Sequence, residues 1–232
     1  MSESLISISY LFDFENDNVK TFEALLNSST LSLVLPQSYE IPPWANAFRC
    51  SQCPRETANS HCCSICINIS HLIEEFKTFD SVTPCTISVR TKERNYSLKS
   101  DVQRGLSSLL GLYMATSDCP FLGFLRPMAR FHLPFASTEE TIFRSTGSYL
   151  IGQYFKAKKS NQADFELSQL PATYSKVSKI NHDIIRHLRK NYYTHDAYAN
   201  SLVILDNFAQ MISAFLPEEL DEFASFYEQI IK

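Results

Sequence analysis

Five of the seven cysteines lie within 17 residues, at positions 50, 53, 62, 63 and 66. Cys50 and Cys53 are separated by two residues, as are Cys63 and Cys66, a spacing from which two thiolates reach one ion. Two such pairs supply four sulfurs in a tetrahedron, the geometry of structural Zn²⁺ with Zn–S bonds of about 2.3 Å. The spacing therefore predicts a zinc knuckle with these four ligands and structural zinc as the cofactor.

The fourth ligand stays open at this point. His61 and Cys62 adjoin Cys63, and three thiolates with one imidazole suit zinc as well as four thiolates do. Two other roles compete with metal binding. A cysteine can serve as a small buried side chain, which fits Cys66 best because isoleucines flank it on both sides. Clustered exposed thiols can also oxidise, as in a redox switch.

A second set of side chains that could bind a ligand lies in the segment between residues 118 and 135, which three prolines interrupt. Arg126 and Arg130 are four residues apart, so a helical turn would point both guanidinium groups the same way. With Arg104 and His132 they predict a site for a small anion, because a guanidinium group matches the geometry of carboxylate and phosphate. Arg144 would add to that cluster. The competing interpretation is that these arginines pair with nearby acids and brace the segment.

Two patterns that catalysis would use are weaker. Cys119 precedes a proline at a predicted helix start, where a thiol is activated, and His132 is the available base. A buried inert thiol is the favoured interpretation there. His-Asp pairs at 182–183 and 195–196 resemble those of metal-dependent phosphohydrolases of the HD type, but no regular helix supplies the upstream histidine. The sequence therefore leaves open whether the protein is an enzyme.

The first hundred residues have the pattern of a small antiparallel sheet. Alternating apolar residues predict strands over 5–12, 19–22, 31–35, 86–90 and 95–98. Helical spacing of apolar residues predicts a helix over 68–76. These elements carry the cysteine segment between them.

The rest of the chain predicts helices. Two of these helices begin with the spacing of a capping box, at Ser100 with Gln103 and at Ser137 with Glu140. Apolar stripes at helical spacing follow over 177–188, 198–212 and 220–230. Glycines at 105, 111, 147 and 152 lie inside predicted helices, where glycine costs about 1 kcal/mol relative to alanine, and so predict close helix packing.

Composition and charge exclude several classes of protein. The chain has 232 residues, 44% hydrophobic and 20% charged, which excludes disordered and low-complexity classes. A net charge of −4 argues against a main role in neutralising phosphates, although Arg90, Lys92, Arg94 and Lys99 leave weak nucleic-acid binding as an alternative. No apolar stretch approaches the ~20 residues that span a bilayer, and the N-terminus lacks the basic start of a secretory signal. We therefore expect a cytoplasmic protein that does not enter a membrane.

A long motif gives a resemblance to a known family. Its parts are Val102–Leu112, Met114–Ser117, Cys119-Pro120 and Arg126–Phe135. This motif resembles the signature of a family of uncharacterised bacterial proteins known only as a domain of unknown function, and the resemblance covers most of the chain. In that family His-Cys-Pro follows the first Cys-x2-Cys, and the matching stretch here is His61-Cys62-Cys63-Ser64. The resemblance thus gives Cys66 no counterpart and keeps His61 and Cys62 as rival ligands. It implies a bacterial cytoplasmic setting and no particular activity.

These observations predict an α+β protein. Residues 1–100 form a β-rich region with the zinc knuckle, and residues 101–232 form a helical bundle packed on it. The favoured function is a zinc-stabilised binding or regulatory module with a protein partner. The alternatives are an enzyme or small-anion binder that uses the Arg/His segment, and a weak nucleic-acid binder.

Overall fold

The computed structural model describes residues 4–15, 18–36, 40–53, 62–160, 162–192 and 194–230. Within these residues, four strands form one antiparallel sheet in the spatial order β2-β1-β3-β4. The strands are β1 (Leu5–Phe14), β2 (Asn18–Asn27), β3 (Pro84–Arg90) and β4 (Asn95–Asp101). The predicted antiparallel sheet is therefore confirmed.

The helices of the described residues complete an α+β architecture, as predicted. They are α1 (Pro43–Ala47), α2 (Ser64–Phe76), α3 (Val102–Ala115), α4 (Arg126–Arg130), α5 (Thr138–Ala157), α6 (Leu170–Asn191) and α7 (Ala197–Asp221). Two 3-10 turns lie at Gly123–Leu125 and Ala224–Tyr227. No described helix is both long and apolar enough to cross a bilayer.

One face of the sheet packs against α2 and α3. Every second residue of β1 from Ile8 onward is buried, because side chains alternate between the two faces of a strand. Phe12 meets Phe76 of α2 with ring centroids 5.0 Å apart. On α3, a Cβ at Gly105 would lie 2.6 Å from Cε1 of Phe12 and 2.7 Å from Cγ1 of Ile87, so glycine lets this helix lie close to the sheet.

The glycine prediction holds for α3 and fails for α5. A Cβ at Gly111 would come within 3.1 Å of Leu205 on α7, whereas one at Gly147 or Gly152 would meet no atom within 4 Å. The buried side chains of the sheet, α2, α3, α6 and α7 form one continuous cluster. The boundary between residues 100 and 101 stays a prediction.

Three local predictions were wrong. Residues 31–35 do not form a strand, because Leu31 has a left-handed backbone (φ 59°) and only Leu33 bridges to Leu26. The N-cap of α3 is Asp101, whose carboxylate accepts the N–H of Arg104, so the predicted Ser100 box is displaced by one residue. No separate helix covers the described residues 220–230, since α7 continues to Asp221 and a 3-10 turn follows. The Ser137–Glu140 capping box is confirmed at the start of α5.

Candidate functional site

The cysteines of the predicted zinc knuckle surround the start of α2. Cys50 follows α1 and is half-buried, and Cys53 is exposed. Cys63 is the N-cap residue of α2, and Cys66 is buried in its first turn. The Cys50 sulfur accepts the backbone N–H of Gln52 at 3.4 Å. The N-terminal end of α2 therefore collects thiols from both predicted pairs.

The two thiols of α2 differ in acidity. The pKa of Cys63 is lowered to about 6, mainly by a hydrogen bond from the thiol of Cys66. The backbone N–H groups of Cys66 and Ile65 also face the Cys63 sulfur and lower its pKa. The charge of Arg49 lowers the pKa of Cys63 further, as a smaller cause. Burial raises the pKa of Cys66, and it raises the pKa of Cys50 to about 11. Cys63 thus ionises more readily than Cys50 and Cys66 do.

A complete metal site is not assembled in the described residues, where no three His, Cys, Asp or Glu side chains converge to hold an ion. Cys50, Cys63 and Cys66 nevertheless lie close enough for their charges to interact. Cys62 donates to Oδ1 of Asn46 at 2.8 Å. The rival ligand His61 lies outside the described residues. The zinc knuckle therefore stays a prediction. The chemistry of the thiols supports it, whereas their described positions do not form a complete set of ligands.

A pocket of about 190 Å³ lies between α3, α5, α6, α7 and the segment 122–136. Its wall is mainly apolar, with Leu112, Met128 and Phe208 among the lining side chains. Of the predicted anion-site residues, Arg104 and His132 line it and Arg126 and Arg130 do not. Concave apolar pockets with a few polar groups are the usual form of small-molecule sites.

The two arginines outside the pocket have other contacts. Nη2 of Arg126 donates to the carbonyl oxygen of Ser117 at 2.8 Å and to Oδ1 of Asp118 at 2.9 Å. The guanidinium carbon of Arg130 lies 5.3 Å from the ring centre of Phe131. Arg126 and Arg130 therefore do not join Arg104 and His132 in the pocket lining, because α4 turns them away from it.

Arg144 takes the place of these residues in the pocket lining. Its Nη2 donates to the carbonyl oxygens of Met128 (3.0 Å) and Phe131 (2.9 Å). Nη2 of Arg104 donates to the carbonyl oxygens of Phe135 (3.2 Å) and Ala136 (3.3 Å). Neither guanidinium forms an ion pair with an acid among the residues that the structure describes. Both therefore hold the loop 128–136 through one nitrogen, and their positive charges lie beside the pocket without a contacting acid, although the charge of Glu140 acts on Arg144 from a distance.

His132 contributes a neutral imidazole. Burial, with the positive charge of Arg144 as a smaller cause, lowers the pKa of His132 to about 3. Its Nε2 is hydrogen-bonded to the hydroxyl group of Tyr10 on β1, which is also bonded to Oγ of Ser108 at 3.0 Å. Burial raises the pKa of Tyr10, so this chain of three polar groups is uncharged near neutral pH.

Sequence reasoning missed further polar residues of the lining, among them two on α6. The hydroxyl group of Tyr174 donates to Oγ of Ser145 at 2.9 Å. Asn181 is 1% exposed, and its Oδ1 has no hydrogen-bond partner in the described part of the chain. No sequence signal marked either residue, because each lies beside the apolar residues of α6 on the core-facing side of the helix.

The weaker catalytic patterns do not assemble. Burial raises the pKa of Cys119, and His132 is bonded to Tyr10 instead, so the favoured interpretation of an inert thiol is supported. His182 lies 2.7 Å from Oδ2 of the buried Asp206, whereas His195 pairs with Asp80. The two His-Asp pairs therefore serve separate contacts in the described structure.

The family comparison matches a model described as a domain of unknown function (DUF6901) over residues 8–228. The match includes the cysteine segment, the loop 128–136 and all helices that line the pocket. Comparisons with curated proteins and with solved structures found no match. Because the match spans nearly the whole chain, as the resemblance implied, the protein belongs to the DUF6901 family, whose function is unknown.

Proposed function

We propose that the protein is a small-molecule binding module whose pocket accepts an anion and whose cysteine segment is fixed by structural zinc. The observation that carries the binding role is the pocket, in which Arg104 and Arg144 meet an apolar wall without acidic partners among the described residues. A charge kept in a partly buried place is costly unless it is paired. A bound anion would supply that pairing.

The surroundings of the two arginines support an anion over a cation. Glu140 lies one turn before Arg144 on α5 and its charge acts on the guanidinium, but its carboxylate accepts the backbone N–H of Ser137 and forms no ion pair with Arg144 in the described structure. His132 adds a hydrogen-bonding imidazole without a competing charge. The remaining guanidinium nitrogens can bond a carboxylate with charge-assisted hydrogen bonds, which are about twice as strong as neutral ones.

The zinc part of the proposal is supported by the chemistry of the thiols. Cys63 ionises readily, and zinc binds the thiolate form. The Cys50 sulfur already accepts a backbone N–H, which partly offsets the effect of burial on its pKa. Zinc would supply a cross-link between the residue 50 segment and the start of α2. The ligands of the zinc ion would be Cys50, Cys53, Cys63 and Cys66, with Cys62 and His61 as alternatives for one position.

Anion binding is tested by calorimetry with two ligands that share a phenyl ring and a short alkyl chain, 3-phenylpropionate, which ends in a carboxylate, and 3-phenyl-1-propanol, which ends in a neutral hydroxyl group. We expect the acid to bind at least about tenfold more tightly to the unaltered protein, because only the acid pairs with the arginines. Arg144→Met should remove that preference, and Arg130→Met, outside the pocket, should keep it. Equal affinity for acid and alcohol, or no binding of either, contradicts the proposal even if the Arg144 variant does not fold.

The zinc part is tested by elemental analysis of purified protein. We expect one zinc per chain, lost in Cys63→Ser and kept in Cys85→Ala, which alters a thiol within β3. Cys62→Ser tests the rival ligand set in the same assay. Metal at background level in protein loaded with zinc would remove zinc from the proposal and leave the pocket unaffected.

A further inference from the structure

Asn181 lies on the side of α6 that faces the pocket. Tyr174, Val177 and Asn181 are spaced by three and four residues, so they follow one another along a single helix face, and all three line the pocket. The Asn181 side chain is 1% exposed and its Oδ1 has no protein donor among the described residues. A buried amide oxygen without a donor is rare in folded proteins.

The two polar positions on α6 mark opposite ends of the pocket. Tyr174 is bonded to Ser145, and the charge of neighbouring Arg144 acts on it, so this position belongs to the cationic end. Asn181 lies seven residues further along α6, about 10 Å at the helical rise of 1.5 Å per residue. Apolar side chains such as Leu112, Leu205 and Phe208 line the wall between.

The size of the pocket limits what can span these two ends. A cavity of about 150 Å³ holds one benzene ring, and this pocket has about 190 Å³. The pocket therefore suits a single ring with a short acid chain, whereas most of a long acyl chain or a nucleotide would lie outside it.

We propose that the ligand is a small hydroxyaryl carboxylate, with its carboxylate at Arg104 and Arg144 and its hydroxyl group donating to Oδ1 of Asn181. This inference rests on the proposed anion pocket and adds the class of the ligand. The hydroxyl group provides the donor that Asn181 lacks, and the ring occupies the apolar wall. The protein would then distinguish ligands by contacts at both ends of the pocket, because an acid without the hydroxyl group leaves the amide oxygen of Asn181 unpaired.

The test compares 3-(4-hydroxyphenyl)propionate with 3-phenylpropionate by calorimetry on the unaltered protein. We expect the hydroxylated acid to bind about tenfold more tightly, as expected for one buried hydrogen bond that the second acid cannot make. In Asn181→Leu, which keeps a similar volume, the two acids should bind alike. Ser178→Ala on the same helix should keep the preference, since Ser178 does not line the pocket.

The outcomes separate this inference from the proposed function. Equal binding of the two acids to the unaltered protein overturns the hydroxyaryl assignment and leaves the anion pocket standing. Failure of both acids to bind overturns the anion pocket as well. A preference that persists in folded Asn181→Leu shows that another group reads the hydroxyl and overturns the role of Asn181. The comparison on unaltered protein decides the ligand class even if that variant does not fold.

Discussion

Gly105 shows how one residue sets the distance between helix and sheet. It lies in the first turns of α3, opposite Phe12 of β1 and Ile87 of β3. Glycine is a poor helix former, so its place inside a helix has a packing reason here. Gly152 of α5 has the opposite surroundings, because a Cβ at that position would meet no atom within 4 Å.

Replacement of Gly105 by alanine should lower the free energy of unfolding by about 1–3 kcal/mol, because the added methyl group overpacks the contact. Gly152→Ala should raise it by up to about 1 kcal/mol, because alanine favours the helix. Urea denaturation of the two variants measures both effects. A Gly105→Ala protein as stable as the parent would show that α3 does not press on the sheet.

The helix α5 positions Arg144 against the loop, and its start is fixed by a complete capping box. The Ser137 hydroxyl accepts the N–H of Glu140 at 3.1 Å, and the Glu140 carboxylate accepts the N–H of Ser137 at 2.8 Å. Few of the residues of α5 are buried, so local capping matters more for this helix than for α3.

Ser137→Ala should lower the free energy of unfolding by about 0.5–2 kcal/mol, the usual cost of losing an N-cap side chain. Thr138→Ala, at the next position, should change it little because Thr138 is exposed. Chemical denaturation distinguishes the two. A Ser137→Ala variant without loss would mean that tertiary contacts alone fix the start of α5.

At the scale of the whole molecule, a chain of hydrogen bonds centred on Tyr10 joins the sheet to the helical part. Tyr10 of β1 contacts Ser108 of α3 and His132 of the loop 128–136. The charged group that acts on His132 is the guanidinium of Arg144 on α5. Protonation of His132 would place a second positive charge beside that of Arg144 in a partly buried position, so the folded state resists protonation of His132.

This arrangement predicts acid sensitivity. The pKa of His132 is about 3 in the folded protein and about 6.5 in the unfolded chain. Between these values only the unfolded chain binds the proton, so the free energy of unfolding falls as pH decreases, by at most about 1.4 kcal/mol per pH unit. The carboxyl groups of Glu74 and Glu75, whose pKa values are lowered by their hydrogen-bonding partners, add to the loss only at lower pH.

Urea denaturation at pH 7 and pH 5.5 measures this fall in the free energy of unfolding above the pH range in which the carboxylates titrate. The decrease should be smaller in His132→Asn than in the parent protein, because the substitution removes the group that only the unfolded chain protonates. The same decrease in His132→Asn and in the parent would exclude His132 as its source.

Local patterns in the sequence determined the elements whose signals are themselves local. Alternation from Ile6 to Phe12 predicted β1, and Ser137 with Glu140 predicted the start of α5, since a strand face and a capping box each depend on neighbours within a few residues. The strand predicted at 31–35 failed because a left-handed residue and a turn decide the backbone there.

The pocket was decided by tertiary structure. The sequence pointed to Arg104 and His132, but it also pointed to Arg126 and Arg130, which α4 turns away. Asn181 joined the set only through the packing of α6. Helical spacing tells which residues share a face, but it does not tell which faces meet, because contacts such as that between Tyr10 and His132 span 122 positions of the chain.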